Sequence, residues 1–422
     1  MTGAVPTGGP AAPMRVLAAV VVPPHLSVSG ASRAAERLTE QLARFDDVAI
    51  DIANMGVPPA SGVAEGGGSV PRRLPVKVWN PLSWTSRFLP NRYRTLLYRS
   101  DLPRKVAHGG YDLVHLHNPT PSLEMKRVAL AARRAGVPYV ISTHGFVEIA
   151  DGPVINQMGR AQRAVWSVMV DRPVRWTVRH ATRMFLLSPA DGSVVDRLDG
   201  AAVATSIVSN GVEVPDDDGR DDDAHLDRVG VGERADGNGL RAFFLANHTP
   251  NKGVDVLLDA FTTLDRPFTL VVGGDQREVI DYDAYAARCG PGQRIVYPGR
   301  LSDEEVAALF RWADLFVFPT RADTLPLVVL EAMAHGTPVV ASAVGGIPFE
   351  LEGGCGVLVP PGDVEALRTA VAELDEDRTR LAEMAAAARS RVVEHFTWPS
   401  AGAAAHRAYR VVLGRDAADP TG

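Results

Sequence analysis

The stretch Pro319–Pro348, PTRADTLPLVVLEAMAHGTPVVASAVGGIP, decides the fold. It follows Leu315 to Phe318, a short apolar run that reads as a buried strand. A polar loop then carries Asp323, Pro326 suits the first turn of a helix, and Leu327 to His335 continues that helix. Val339 to Ala341 is the next strand. Strand, helix and strand in this order form a parallel βαβ unit, so the question is whether the pattern repeats outward.

It does repeat. In the second half, strands at Arg241 to Ala246, Phe268 to Val272 and Arg294 to Tyr297 alternate with helices at Val254 to Leu264 and Ser302 to Ala313. In the first half, Arg15 to Val22, Asp112 to His117, Tyr139 to Thr143, Met184 to Ser188 and Thr205 to Val208 read as strands. Ser29 or Ser32 can cap the first helix, where Ala34, Ala35, Leu38, Leu42 and Phe45 recur at helical spacing. The reading is α/β, with two facing doubly wound, Rossmann-like domains and ligands bound beyond the carboxyl ends of the strands. A nicotinamide enzyme would place G-x-G-x-x-G after the first strand, but Pro23 to Gly30 reads PPHLSVSG, with one glycine.

Composition fits this picture. The chain has 422 residues, 46% hydrophobic and 22% charged, with two cysteines and a net charge of −6, which excludes a small disulfide-stapled fold. No apolar run approaches the roughly 20 residues of a membrane-spanning helix. The first thirteen residues lack the basic and apolar regions of a secretory signal. The expectation is a cytoplasmic protein, with peripheral contact at the inner face of the membrane as an extension of it. Residues 1–200 hold 24 basic and 15 acidic side chains, whereas 201–422 hold 20 and 35. Asp216 to Asp236 alone has nine acids and three arginines with few large apolar residues, and reads as a solvated linker or long loop.

Asp323 and Glu331 flank the start of the helix after Pro326. Free N–H groups and the positive end of the helix dipole suit a diphosphate there, and each carboxylate can accept two hydroxyl hydrogen bonds. Spacing alone also permits two ordinary helix-start acids.

The motifs resemble those of GT-B, nucleotide-sugar-dependent, retaining glycosyltransferases of family 4 (glycosyltransferase group 1). The resemblance rests on Glu331-Ala332-Met333-Ala334-His335-Gly336-Thr337-Pro338-Val339-Val340-Ala341, on Gly345-Gly346-Ile347-Pro348 and on Gly356 to Asp363, GVLVPPGD. Ser209-Asn210-Gly211-Val212, Lys252 to Leu258 and Tyr111 to His117 extend it over nearly the whole chain from Met14. It implies a disordered extension at 1–13, an acceptor-binding domain at 14–211, an acidic linker at 212–240, a nucleotide-sugar-binding domain at 241–395 and a C-terminal helix at 396–415 packing back on the first domain. It further implies that Glu331 binds the donor ribose, Asp323 binds hydroxyls of the transferred sugar, Lys252 neutralises the diphosphate and His144 lies against the donor sugar. Asn247, Thr324, Leu325, Pro326, Leu327 and Gly30 complete the expected donor contacts.

The pattern is not followed everywhere. The first acid is Asp323, where the family has Glu, Pro326 removes a backbone N–H, and Ala246-Asn247-His248 stands where the family has G-R-L, so the arginine partner of Lys252 is missing. Arg321 could compensate, or be a solvated loop arginine. For the acceptor, His117, Arg72 and Trp79 are the candidates. Arg72 to Lys105 has nine basic residues and one acid, with Trp79, Trp84, Phe88, Tyr93 and Tyr98 among them, and Gln157 to Phe185 adds six arginines around Trp166 and Trp176. These segments suit a lipid- or phosphate-linked acceptor and an anionic membrane surface, or they are amphipathic helices with solvated outer faces. Nucleic acid is not expected, given a pI near 6.0. Asp281-Tyr282-Asp283 has a metal-binding form but follows a mixed segment and not an apolar strand; no metal or cofactor is expected beyond the nucleotide sugar.

The expected activity is transfer of a sugar from a nucleoside-diphosphate donor to a hydroxyl with retention. The rivals are a nucleotide-sugar epimerase or hydrolase on the same fold, and a non-catalytic nucleotide-sugar-binding component of a polysaccharide assembly.

Overall fold

The computed structural model describes residues 12–22, 30–56, 70–81, 95–118, 120–144, 146–155, 158–215, 222–231 and 239–416. The chain divides into two compact units, Met1–Ser209 with Ala401–Gly422, and Asn210–Ser400.

In the first unit the strands are β1 Met14–Val20, β2 Val48–Asn54, β3 Arg72–Arg73, β4 Val78–Trp79, β5 Arg99–Ser100, β6 Leu113–His117, β7 Tyr139–Ser142, β8 Arg183–Leu186 and β9 Ala204–Ile207. Seven of them form one sheet in the order β3-β2-β1-β6-β7-β8-β9, while β4 and β5 pair separately as an antiparallel ladder. All pairings in the large sheet are parallel, and β6 is buried at every residue. Burial on both faces explains why these strands read as continuous apolar runs. Chain order reverses between β1 and β6, which makes their carboxyl ends the switch point where such sheets take ligands. The loop after β1, including Ser29 as the expected cap, lies outside the described residues. Ser32 is not the cap: the helix already runs from Gly30 to Leu42, and the buried Ser32 hydroxyl accepts a 3.0 Å bond from Asn54 Nδ2.

The second unit repeats the design with β10 Leu240–Leu245, β11 Phe268–Gly273, β12 Gln293–Gly299, β13 Leu315–Phe318, β14 Val339–Ser342 and β15 Gly356–Val359. Their order is β12-β11-β10-β13-β14-β15, all parallel, so the switch point falls between β10 and β13. Phe243, Phe310 and Phe316 fill its core edge to face, with centroids 5.2–5.8 Å apart.

The terminal helix Trp398–Val412 ends in the first unit. Tyr409 is fully buried there, its hydroxyl 2.7 Å from His115 Nδ1, and Asp47 takes bonds from His406 Nε2 (2.7 Å) and Arg410 (2.8 Å).

The acidic segment departs from the expected loop. Residues 216–221 and 232–238 lie outside the described residues, but Asp223–Val229 is a helix. Leu226 and Val229 bury one stripe of it, Arg311 grips Asp222 with two 2.6 Å bonds, and Gly230 ends the helix at φ 88°. Two apolar residues at i and i+3 and one arginine fork are enough to order this turn of an otherwise acidic run.

Candidate active site

The loops after β10 and β13 meet at the second unit's switch point. Gly253 stands at φ 70°, and a Cβ there would lie 2.1 Å from the Pro319 carbonyl oxygen, so only glycine lets the two loops approach. Arg321 N and Thr320 Oγ1 both donate to the Asn251 carbonyl, at 2.7 and 2.9 Å. This stitching places Lys252 Nζ 2.5 Å from Asp323 Oδ2, while Asp323 Oδ1 accepts from Thr324 N at 3.0 Å. Lys252 is 23% and Asp323 18% exposed at the side chain, so the pair is partly shielded yet still open to a ligand. Lys252 keeps N–H donors beyond the one given to Asp323.

Helix Leu327–Ala334 leaves the same corner. Pro326 is its N-cap and lies just outside the first turn, at ψ 112°. Leu325 and Pro326 are buried, whereas Thr324, Leu327 and Glu331 are half-buried. Gly345 bolts the far side: at φ 54°, a Cβ would fall 1.9 Å from the Asp323 carbonyl oxygen, and Gly346 N donates to Thr324 O at 2.6 Å.

Asn247 is exposed, and its carbonyl accepts from Thr249 N. Arg321 is engaged with neighbouring groups of its own unit. Its guanidinium makes two bonds to Asp255, at 2.8 and 2.6 Å, and one to the Pro250 carbonyl at 2.8 Å. That arrangement holds Asp255 below the usual carboxylate range. A pocket of about 450 Å³ lies beyond this pair, against Asp255, Glu278, Asp281, Tyr285 and Arg321, and contains none of Lys252, Asp323 and Glu331. At the strand-end corner, by contrast, the two loops converge on the Lys252–Asp323 pair at a helix start.

Asp281 of the D-x-D triplet caps helix Tyr282–Ala286 by accepting from Ala284 N at 2.9 Å, and Tyr282 hydrogen-bonds His248 at 2.7 Å. Among the described residues no group of three or more His, Cys, Asp or Glu is arranged to hold a metal ion.

In the first unit, His144 follows β7 and is 7% exposed; burial lowers its pKa to about 4. His117 and His115 project side by side from β6, with centroids 3.9 Å apart, and both are fully buried. His115 bonds Tyr409 and Ser142, whereas neither nitrogen of His117 has a partner among the described residues. His144 is thus the imidazole that reaches the edge. Asp191, not anticipated from sequence, anchors this corner: it is 4% exposed and accepts from Thr143 Oγ1 (2.7 Å) and Leu187 N (2.8 Å). Its signal was an acid shortly after a strand and at a helix start, Ser188-Pro-Ala-Asp191.

Gly30 is the first residue of its helix. Arg72 makes a two-pronged pair with Asp51 (2.9 and 2.6 Å), which Tyr111 also bonds, and Trp79 is 45% exposed. Trp84, Phe88, Tyr93 and Gln157 lie outside the described residues. Trp166 is half-buried against Gly152, and Trp176 stacks on His180 at 4.5 Å. Arg160, Arg163, Arg172 and Arg179 are exposed beside Val165 (47%) and Val168 (54%). Among the described residues, no helix is long and apolar enough to cross a membrane.

Comparison with known proteins adds to the geometry. Residues 239–377 match the family model described as Glycosyl transferases group 1, and residues 28–215 that described as Glycosyltransferase Family 4. The chain is 30% identical to a GDP-mannose-dependent alpha-(1-6)-phosphatidylinositol monomannoside mannosyltransferase of Mycolicibacterium smegmatis, over 71% of this chain and 84% of that one. It is 30% identical to a D-inositol 3-phosphate glycosyltransferase of Streptomyces griseus, over 72% and 68%. Sucrose-phosphate synthase from Thermosynechococcus elongatus superposes with a TM-score of 0.69 at 21% identity, covering 95% of this chain and all of that one, a likeness of fold.

Proposed function

Because the chain belongs to the GT-B glycosyltransferases, we propose that it transfers a sugar from a nucleoside-diphosphate donor to a hydroxyl with retention of configuration. The observation that carries the reading is the Lys252–Asp323 pair at the start of the helix bearing Glu331. Lys252 turns its remaining donors to the leaving diphosphate, where charge develops in the transition state. Asp323 takes hydroxyls of the transferred sugar and Glu331 those of the ribose. Thr324 to Leu327 line the entrance. His144 is the group that the family resemblance sets against the donor sugar, and its depressed pKa makes it a neutral hydrogen-bonding group at physiological pH. Retention fits front-face transfer, in which the leaving phosphate oxygen takes the acceptor proton.

One relative's name carries GDP-mannose and phosphatidylinositol and the other's inositol 3-phosphate, which favours a GDP-sugar donor and a phosphate-bearing polyol acceptor. The exposed arginines from Arg160 to Arg179 suit such an acceptor, or an anionic bilayer carrying it.

The test is donor turnover in Lys252→Ala and Glu331→Ala, with circular dichroism as the folding control. Loss in both is expected; unchanged turnover in both refutes the assignment. A second reading, a binding component without turnover, is favoured by exposed Asn247 and by Arg321 being engaged with Asp255. Incubating UDP-, GDP-, ADP- and dTDP-sugars with and without inositol phosphate separates the readings. Consumption of donor alone would indicate the epimerase or hydrolase.

A further inference from the structure

Glu350 is the last residue of the short helix Ile347–Glu350 and is completely buried. Neither of its carboxyl oxygens has a hydrogen-bond partner among the described residues. The helix begins at the Gly345-Gly346 turn, whose contacts with the Asp323 and Thr324 carbonyls tie it directly to the donor loop. The charged groups of the elements packed around it are few. Asp323 and Lys252 are already paired, and Glu331 lies on the adjoining helix Leu327–Ala334. The guanidinium of Arg391 bonds the backbone carbonyls of Glu350 and Phe349 and the Glu352 carboxylate, and makes no bond to the Glu350 carboxyl. An ionised Glu350 would therefore be a buried charge with no hydrogen-bonded counter-charge among the described residues, an arrangement proteins avoid by keeping the proton.

We infer that Glu350 is a positioning residue for Asp323: a proton-bearing carboxyl on the helix tied to the donor loop, which leaves the Lys252 ammonium to Asp323. Burial, with the neighbouring Asp323 charge, pushes its pKa well above the ordinary range, in keeping with this role. When Glu350 loses its proton, two carboxylates compete for one ammonium and the Asp323 loop moves off its place. The inference rests on Asp323 binding the donor, yet its central claim concerns the resting protein.

The experiment compares wild type with Glu350→Gln, which keeps shape and neutrality. Infrared spectroscopy of the ligand-free protein at neutral pH should show a protonated-carboxyl C=O band that Glu350→Gln lacks; absence of any such band in wild type overturns the proposal even if the variant does not fold. In donor turnover, wild type should lose kcat/KM on the alkaline side, by about tenfold per pH unit and through donor KM, with that limb displaced upward in Glu350→Gln. Superimposable profiles overturn the positioning role. Should neither protein turn over any donor, the glycosyl-transfer reading fails while the infrared result still decides the state of Glu350.

Discussion

Replacing Gly345 by alanine should separate backbone strain from close approach. At φ 54° an alanine pays the left-handed penalty of about 1–2 kcal/mol. Its Cβ would also lie 1.9 Å from the Asp323 carbonyl oxygen, where ordinary contact begins at 3.4 Å, so the Asp323 loop must yield by about 1.5 Å. Gly353→Ala supplies the control, since Gly353 stands at φ 79° with nothing within 4 Å. The two variants share the conformational term and differ only in the clash. We expect Gly353→Ala to lose about 1–2 kcal/mol and Gly345→Ala roughly 2 kcal/mol more, a further fall in Tm of roughly 4–8 °C for a unit of this size. Donor kcat/KM should drop about 100-fold in Gly345→Ala alone, because a displacement above 1 Å removes Asp323 from the sugar. Differential scanning calorimetry and a donor-release assay measure both quantities. Equal melting of the two variants with unchanged turnover would refute the idea that this turn sets the position of Asp323.

The two histidines of β6 and His144 after β7 should give the first unit an acid limit. Burial lowers the pKa of His115 to about 3, of His144 to about 4, and of His117 well below its ordinary value of 6.5. The unfolded chain binds these protons below pH 6.5 and the folded chain does not, so their stabilisation is complete above pH 6.5 and is lost as pH falls toward 4. Each adds a slope of up to about 1.4 kcal/mol per pH unit, and His117→Phe should flatten the urea-unfolding profile accordingly. Sedimentation with phosphatidylglycerol vesicles at low salt should carry the protein down, and Arg160→Glu with Arg163→Glu should reduce partitioning more than about tenfold at about 1 kcal/mol per charge. No sedimentation of wild type would leave the arginine face with a phosphate-bearing soluble acceptor.

The central strands and the Lys252–Asp323 corner were legible in the sequence because both are written locally. Leu315 to Phe318 is a strand with the expected bounds, and Lys252, at the end of the 3-10 turn Pro250–Lys252, and Asp323 both follow apolar strands. What stayed illegible depends on partners distant in sequence. Val48–Asn54 did not read as a strand because Asp51 interrupts it, and Asp51 is accommodated only by Arg72 and Tyr111. Gly356–Val359 carried a motif but no strand pattern, since it pairs on one edge only. The helix inside the acidic run depends on Arg311, some 90 residues away. Arg321 was ambiguous as a sequence letter and is explained by Asp255. Glu350 carried no signal at all, because its meaning lies in what does not face it.

The terminal helix has a consequence for biosynthesis. Tyr409 covers His115 and Phe185, and His406 stacks on Phe45 at 4.1 Å, so residues far apart in the sequence close one core. Between Ser209 and Ala401 the ribosome must add about 190 residues, which takes roughly 10–40 s at ordinary elongation rates. During that interval the nascent first unit has an open apolar face, while the second unit holds all of its own strands and can fold ahead of it. The part of the chain made first is thus the part finished last, and a chaperone that shields nascent apolar surface would find its target on the face that Tyr409 later covers.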